Sequence, residues 1–286
     1  MAEPALEIAT TEDSLLAEAA ALQAHPAYDA AARAYTAGLV RFRQNSRLVN
    51  KLSAHEVRFR TVGYLLHLSA LNRTTGSNGG VSYGQLHELC VARNGEVSPR
   101  VLKTMLALMG FAGFVTVGRV AADRRVTLYE PTPRMLDFAR LWFRHAAEAL
   151  DAMEPQLRRA DRLARDQAFL DHLLVHAGSD HASAPPAERL PEFISFFGGR
   201  EGAAAIVARL TLGGNGAEPP ESRAALARQF GLSRTQVSEV IADGVRRGFM
   251  TLGDDAMPAL TDRLRDLYRR WISIELAFYA RHMRAG

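Results

Sequence analysis

Thiols are almost missing from this chain: Cys90 is its single cysteine among 286 residues, so no disulfide forms within one chain and the fold rests on packing. That usage suits a reducing cytosol. Long apolar runs are missing too, since no unbroken stretch reaches the roughly eighteen residues of a membrane span. Nor does the N-terminus show the basic-then-apolar order of a secretory signal. The expectation is a soluble, cytoplasmic protein without a membrane partner. A Gly-rich phosphate loop, a catalytic triad and a supported carboxylate pair are all absent, so the chain reads as a non-enzyme with no cofactor. What it does have is enough apolar residue, 48%, to fill two cores. Its net charge of +4 and pI near 9.5 fit a polyanionic partner, although Arg-rich proteins from GC-rich genomes share that balance.

Helical spacing runs from Glu12 to Leu48, interrupted at Pro26, and predicts two helices; a further one covers His55 to Asn72. After the GSNGG loop (Gly76 to Gly80), a helix pair is expected at Tyr83 to Arg93 and Ser98 to Met109, with Asn94-Gly95 in the turn. FVTV (Phe114 to Val117) and RRVTLY (Arg124 to Tyr129) have strand composition and predict a hairpin. Thr132-Pro133 caps a long helix reaching about His176, with a break near Pro155. The Gly/Ser/Ala/Pro-rich stretch Ala177 to Pro191 reads as a linker between a domain at 1–176 and another at 192–286. Beyond it the pattern gives helices near Glu201 to Leu212 and Ser222 to Gln229, a helix after Ser233, a strand Met250 to Leu252 and a final helix from Asp262 to Arg284.

The two halves repeat one another. Ser98 and Ser233 stand 135 positions apart, and the same offset aligns Leu102 with Val237, Met105 with Val240, Leu106 with Ile241, Gly113 with Gly248, and Phe114 with Phe249. Upstream the offset is 137, aligning Leu89 with Leu226, so the first copy has two extra residues in its turn. Downstream it is 129, where Thr132-Pro133-Arg134-Met135 meets Thr261-Asp262-Arg263-Leu264, and the second hairpin is six residues shorter. Each copy reads helix, helix, turn, helix, hairpin, helix, the order of a winged helix-turn-helix. The predicted fold is mainly α with small β-hairpin wings, two such units being joined by long helices. In that arrangement the helix after the turn enters the major groove of DNA and the hairpin reaches the backbone or minor groove.

VSYGQLHELC, VSPRVLKTMLALMGFAGFV and DRRVTLYEPT in the first copy, with the wing signature Asp123-x-Arg125 and the helix-starting Thr132, resemble the multiple-antibiotic-resistance regulator (MarR) family over about Glu12 to Glu154. The resemblance implies a bacterial transcriptional regulator whose terminal helices build a dimer interface. It also implies an apolar effector pocket, for which Tyr64, Trp142 and Phe143 are candidates beside a packing role. The second copy keeps Leu260-Thr261, but its wing shrinks to Gly253-Asp254-Asp255-Ala256-Met257, with no arginine. Family members are usually single-copy homodimers, so this chain is either a monomeric pseudo-dimer or a homodimer.

Leu102, Met105, Leu106 and Met109 should face the core, turning Arg100, Lys103, Thr104 and Ala107 outward; Arg100 and Lys103 are then the chief base or phosphate ligands. A solvated helix face would look the same. Arg119, Arg124 and Arg125 belong to the wing, where Arg125 either enters the minor groove or pairs with Asp123. In the second copy Val237, Val240, Ile241 and Val245 mark the buried face, leaving Arg234, Thr235 and Gln236 near the bases and Glu239 and Asp243 on the outer surface. Ser233-x-x-Gln236 is equally a capping box. The basic run Arg41 to Arg60 is a phosphate ligand or a solvated face. His172 and His176 have metal-ligand spacing but no second cluster, and Cys90 reads as a small core residue or as a thiol sensor.

Sequence-specific recognition of double-stranded DNA, with or without a small-molecule effector, is the leading expectation, and places the protein at the nucleoid. A tandem winged-helix scaffold of the chromosome-segregation type is the alternative from another class, and a replication initiator the third.

Overall fold

The computed structural model describes residues 14–44, 56–77, 79–93, 95, 97–120, 123, 125–183, 189–197, 200–213, 222–253 and 256–284. The chain is mainly helical, and its described residues include one three-stranded and one two-stranded antiparallel sheet. Residues 14–23 form α1 and Tyr28–Arg43 form α2, parted at Pro26 as expected. The first copy follows: α3 (Glu56–Thr74), β1 (Val81–Ser82), α4 (Tyr83–His87), a π-helical turn at Glu88–Arg93, α5 (Pro99–Phe111), β2 (Val115–Arg119), β3 (Thr127–Pro131) and α6 (Pro133–Met153). Next come α7 (Arg159–Arg165) and α8 (Gln167–Ser183). The second copy comprises α9 (Pro191–Phe197), α10 (Ala203–Gly213), α11 (Arg223–Phe230), α12 (Arg234–Arg246), β4 (Met250–Leu252), β5 (Pro258–Leu260) and α13 (Asp262–His282). Among the described residues no helix is long and apolar enough to cross a membrane.

Local chemistry explains why the copies match. Ser98 and Ser233 each accept the N–H three residues on, capping α5 and α12. Gly113 (φ +69°) and Gly248 (φ +71°) then reverse the chain in the left-handed region that a side chain resists. The hydroxyl of Thr132 donates to the carbonyls of Gly113 (2.8 Å) and Phe114 (3.2 Å), and that of Thr261 to those of Gly248 (2.9 Å) and Phe249 (3.1 Å). Even the buttress recurs: Arg134 lies over the Phe114 ring and donates to the Ala112 carbonyl, as Arg263 lies over Phe249 and donates to that of Arg247. The turns differ in length. Val97 N–H reaches the Cys90 carbonyl across the π turn, whereas Leu232 N–H reaches that of Ala227 directly. The first copy's extra turn residues are thus absorbed by widening the helix end.

The apolar faces of the two equivalent helices are filled in complementary ways. Leu102, Met105, Leu106 and Met109 are all buried, each contributing about 1.5–3 kcal/mol. On α12, Val237, Val240 and Ile241 are buried, but Val245 is 39% exposed, contrary to the expectation from its apolar type. The i+7 position is Gly244, whose absent Cβ would lie 2.8 Å from Met250 Sδ. Met109 and Val115 occupy these positions in the first copy, so a large-small pair there becomes a small-large pair here, conserving volume.

The chain divides into two compact units that are not consecutive stretches: residues 1–45, 145–160 and 186–285 form one, and 46–144 and 161–185 the other. The cut between 1–176 and 192–286 follows sequence order; the packing does not. In the first unit α2 packs on α10 of the second copy, and in the other α8 packs on α3 of the first copy. Each copy therefore closes its core with the leading helix of the other. Tyr28 donates to the Arg269 carbonyl (2.9 Å), Arg269 pairs with Asp29 (2.8 Å), and Gln23 donates to Ser273 (2.9 Å). Across α3 and α8, Arg73 pairs with Asp171 (2.5 Å), and the His67 ring lies in the notch left by Gly178. The residues to Ser183 are thus helical, although their Gly, Ser and Ala content predicted a linker from Ala177 onward; docking on α3 buries Leu173, Leu174 and Ala177 and outweighs weak propensity. Likewise α9, within the expected start of the second domain, is held by Phe193 stacked on Trp271 (5.0 Å) and Phe196 edge-on to Phe249 (5.3 Å).

Candidate nucleic-acid interface

Helix α5 is presented by its Ser98 cap, with Pro99 preset for the first turn. Its buried face fixes the opposite one: Arg100, Lys103, Thr104 and Ala107 are exposed. Among the described residues no carboxylate pairs with Arg100 or Lys103. The Lys103 ammonium lies 5.6 Å from the centre of the Tyr83 ring, which steadies its stem without neutralising it. Thr104 donates its hydroxyl to the Arg100 carbonyl (2.9 Å) within the helix. Two exposed apolar side chains on α5 escaped the sequence reading: Val101, 38% exposed beside Arg100, and Phe111, 93% exposed in line with Arg100, Thr104 and Ala107. The helix runs to Phe111 where Met109 was expected, and a period count carried one turn further would have found it. An exposed valine beside an arginine is suited to a thymine methyl and its neighbouring guanine.

The hairpin after α5 is an antiparallel ladder from Val115 opposite Pro131 to Arg119 opposite Thr127, extended by β1 on the far side of β3. Arg119 and Arg125 are exposed at its outer end; Arg124 lies outside the described residues. Asp123 shapes the turn through the backbone, its carboxylate accepting the Arg125 N–H (2.9 Å) and its carbonyl the Val126 N–H (3.0 Å). The anticipated Asp123–Arg125 contact therefore involves the Arg125 amide, and its guanidinium has no ion-pair partner among the described residues.

The second copy offers much less open cationic surface. Arg234 and Thr235 are exposed, but Gln236 completes the capping box with Ser233 and donates to Glu201 (3.1 Å). Asp243, expected on the outer surface, is buried at 7% exposure, because Arg246 (2.6 Å), Arg247 (3.1 Å) and Arg200 (3.4 Å) close around it. Burial alone would raise its carboxyl, but Arg247 and Arg200 outweigh it and hold the group below the ordinary carboxylate range. Arg200 also meets Glu239 (3.5 Å). The hairpin of β4 and β5 has three residues on each strand, and its acidic pair Asp254-Asp255 lies outside the described residues.

Of the remaining candidates, His176 is exposed and His172 half-buried, whereas Cys90 and Tyr64 are buried. The His172 and His176 rings lie 4.3 Å apart, and among the described residues no group of three His, Cys, Asp or Glu is placed to hold a metal. Cys90 is fully buried. Tyr64 is buried with its ring edge-on to His181, and Trp142 is sandwiched between Phe59 (3.8 Å) and Phe143 (4.9 Å). Within the Arg41 to Arg60 run, residues 45–55 lie outside the described set. No family model, curated protein or solved structure matches the chain.

Proposed function

We propose that this protein is a sequence-specific double-stranded DNA-binding transcriptional regulator, built from two winged helix-turn-helix copies of MarR-like pattern. One observation carries the reading: α5 exposes Arg100 and Lys103 without carboxylate partners among the described residues, directly ahead of a hairpin whose outer end bears Arg119 and Arg125. A structural face would tie such charges down with i, i+3 or i, i+4 carboxylates, as Asp161 does for Arg165 on α7. An unpaired guanidinium at a helix start instead suits the two acceptors of a guanine edge, while the lysine suits a phosphate. Fluorescence anisotropy with duplex DNA over a salt series tests it. Each lost phosphate contact should flatten the slope of log K against log salt by about 0.9, so Arg100→Ala with Lys103→Ala flattens it by one to two such steps. A bidentate base contact adds on the order of 1–3 kcal/mol of lost sequence preference to Arg100→Ala. Equal affinity and slope for wild type and the double variant would remove these residues from the interface.

A further inference from the structure

We propose that the protein reads one non-palindromic DNA element as a single chain, with the first copy making the base contacts and the second contributing little to sequence preference. This rests on the DNA-binding reading above and adds to it the symmetry and stoichiometry of the target.

The equivalent recognition segments carry opposite charge. From Ser98 to Pro131 there are five basic side chains against two acidic, a net of +3; from Ser233 to Leu260 there are three against four, a net of −1. The structure deepens the difference. In the first copy the charged groups of Arg100, Lys103 and Arg125 form no ion pair among the described residues, the Asp123 carboxylate being taken by the Arg125 backbone N–H. In the second, Arg246 and Arg247 are spent on Asp243, and Gln236 on its cap and Glu201. Among the described residues Arg234 is the basic side chain of that segment left exposed without an ion pair, with Glu239 five residues on along the same helix. A phosphate approaching the second helix meets arginines already neutralised by Asp243 and Glu239, where one approaching the first meets cations with no such partner among the described residues, so two equal half-sites cannot be held with equal strength.

Stoichiometry follows from the exchanged helices. Two-fold operators mirror two identical chains. Here α10 and α3, one in each core, are already covered by the exchanged helices α2 and α8 of the same chain, so closure of each core is internal. Duplication followed by divergence of one copy leaves a reader with a fixed polarity on its target: the duplex direction is specified by which copy makes the base contacts.

Selection from a random duplex library by the full-length protein, followed by native mass spectrometry and anisotropy on the enriched sequence, tests the proposal. The expected result is a motif without inverted repeat, one chain per duplex, and at least a tenfold loss of preference over scrambled duplex for Arg100→Ala with Lys103→Ala. Arg234→Ala should change the same ratio less than twofold. An inverted-repeat motif, two chains per duplex or an equal loss for Arg234→Ala overturns single-site reading while leaving DNA binding intact. Absence of binding to any duplex at low salt overturns the DNA-binding reading, and this one with it.

Discussion

Gly178→Ala should destabilise the protein even though it puts a better helix former into a helix interior. At an open position the change would stabilise by roughly 0.5–1 kcal/mol. At this one the new Cβ would lie 2.5 Å from Cγ and Nδ1 of His67 and 2.6 Å from its Cβ, an ångström inside ordinary contact. The ring cannot simply swing away, since it is 6% exposed between α3 and α8 and its Nδ1 is bonded to the Leu174 carbonyl (3.1 Å). Overpacking costs about 1–3 kcal/mol, and losing a buried hydrogen bond about 1–3 kcal/mol more. Offsetting the propensity gain leaves a net loss of about 1–5 kcal/mol, readable as a lower urea midpoint at unchanged m-value. The decisive arm is a double-mutant cycle: His67→Ala removes the obstacle, so Gly178→Ala should cost far less in that background. A penalty that is the same with and without the imidazole would show that the two residues do not meet, and with that the docking of α8 on α3 would be wrong.

Volume exchange between the copies gives a second test: Gly244→Ala should be destabilising alone and largely rescued by Met250→Val, the arrangement the first copy uses at Met109 and Val115, as read by thermal melting. Thr132→Val and Thr261→Val should each cost about 1–2 kcal/mol, and by similar amounts, because each removes a helix cap and the same pair of carbonyl contacts. Acid should weaken the unit containing His67. Burial lowers this histidine from its ordinary 6.5, so the unfolded chain takes the proton first, and stability is complete above about 6.5 and falls as pH drops below it. Denaturant midpoints measured from pH 7.5 to 5.5 should fall less in His67→Gln than in wild type.

Much of the fold was legible because it is written in short-range chemistry. Serine caps at Ser98 and Ser233, the left-handed glycines, the Thr-led helix starts and the 3.6-residue spacing of Leu102, Met105, Leu106 and Met109 each act over a few residues and look alike in both copies. What escaped depends on partners distant in sequence. Val245 belongs to the core by its type, but the close approach of Met250 reserves that place for Gly244. Asp243 reads as solvent-facing, and its cover needs Arg200 from the turn ahead of α10 as well as Arg246 and Arg247 nearby in sequence. The helical state of residues 177–183 is imposed by docking on α3 and has no local signature. For the candidate site, the outward set on α5 is readable from periodicity, whereas the way Asp123 engages the Arg125 amide requires the turn itself.

The exchange of leading helices also sets a timetable for synthesis. A nascent chain emerging from the ribosome makes α2 early, but its partner α10 appears only after the whole first copy and α7 and α8 have been produced. The first copy's core in turn waits for α8, so neither half matures as an independent N-terminal domain would. Non-local pairing of this kind raises the loop-closure cost and slows the final step. A chain truncated between 183 and 191 would thus strand an amphipathic α2 without its partner, a species for chaperones and proteases rather than a smaller folded protein.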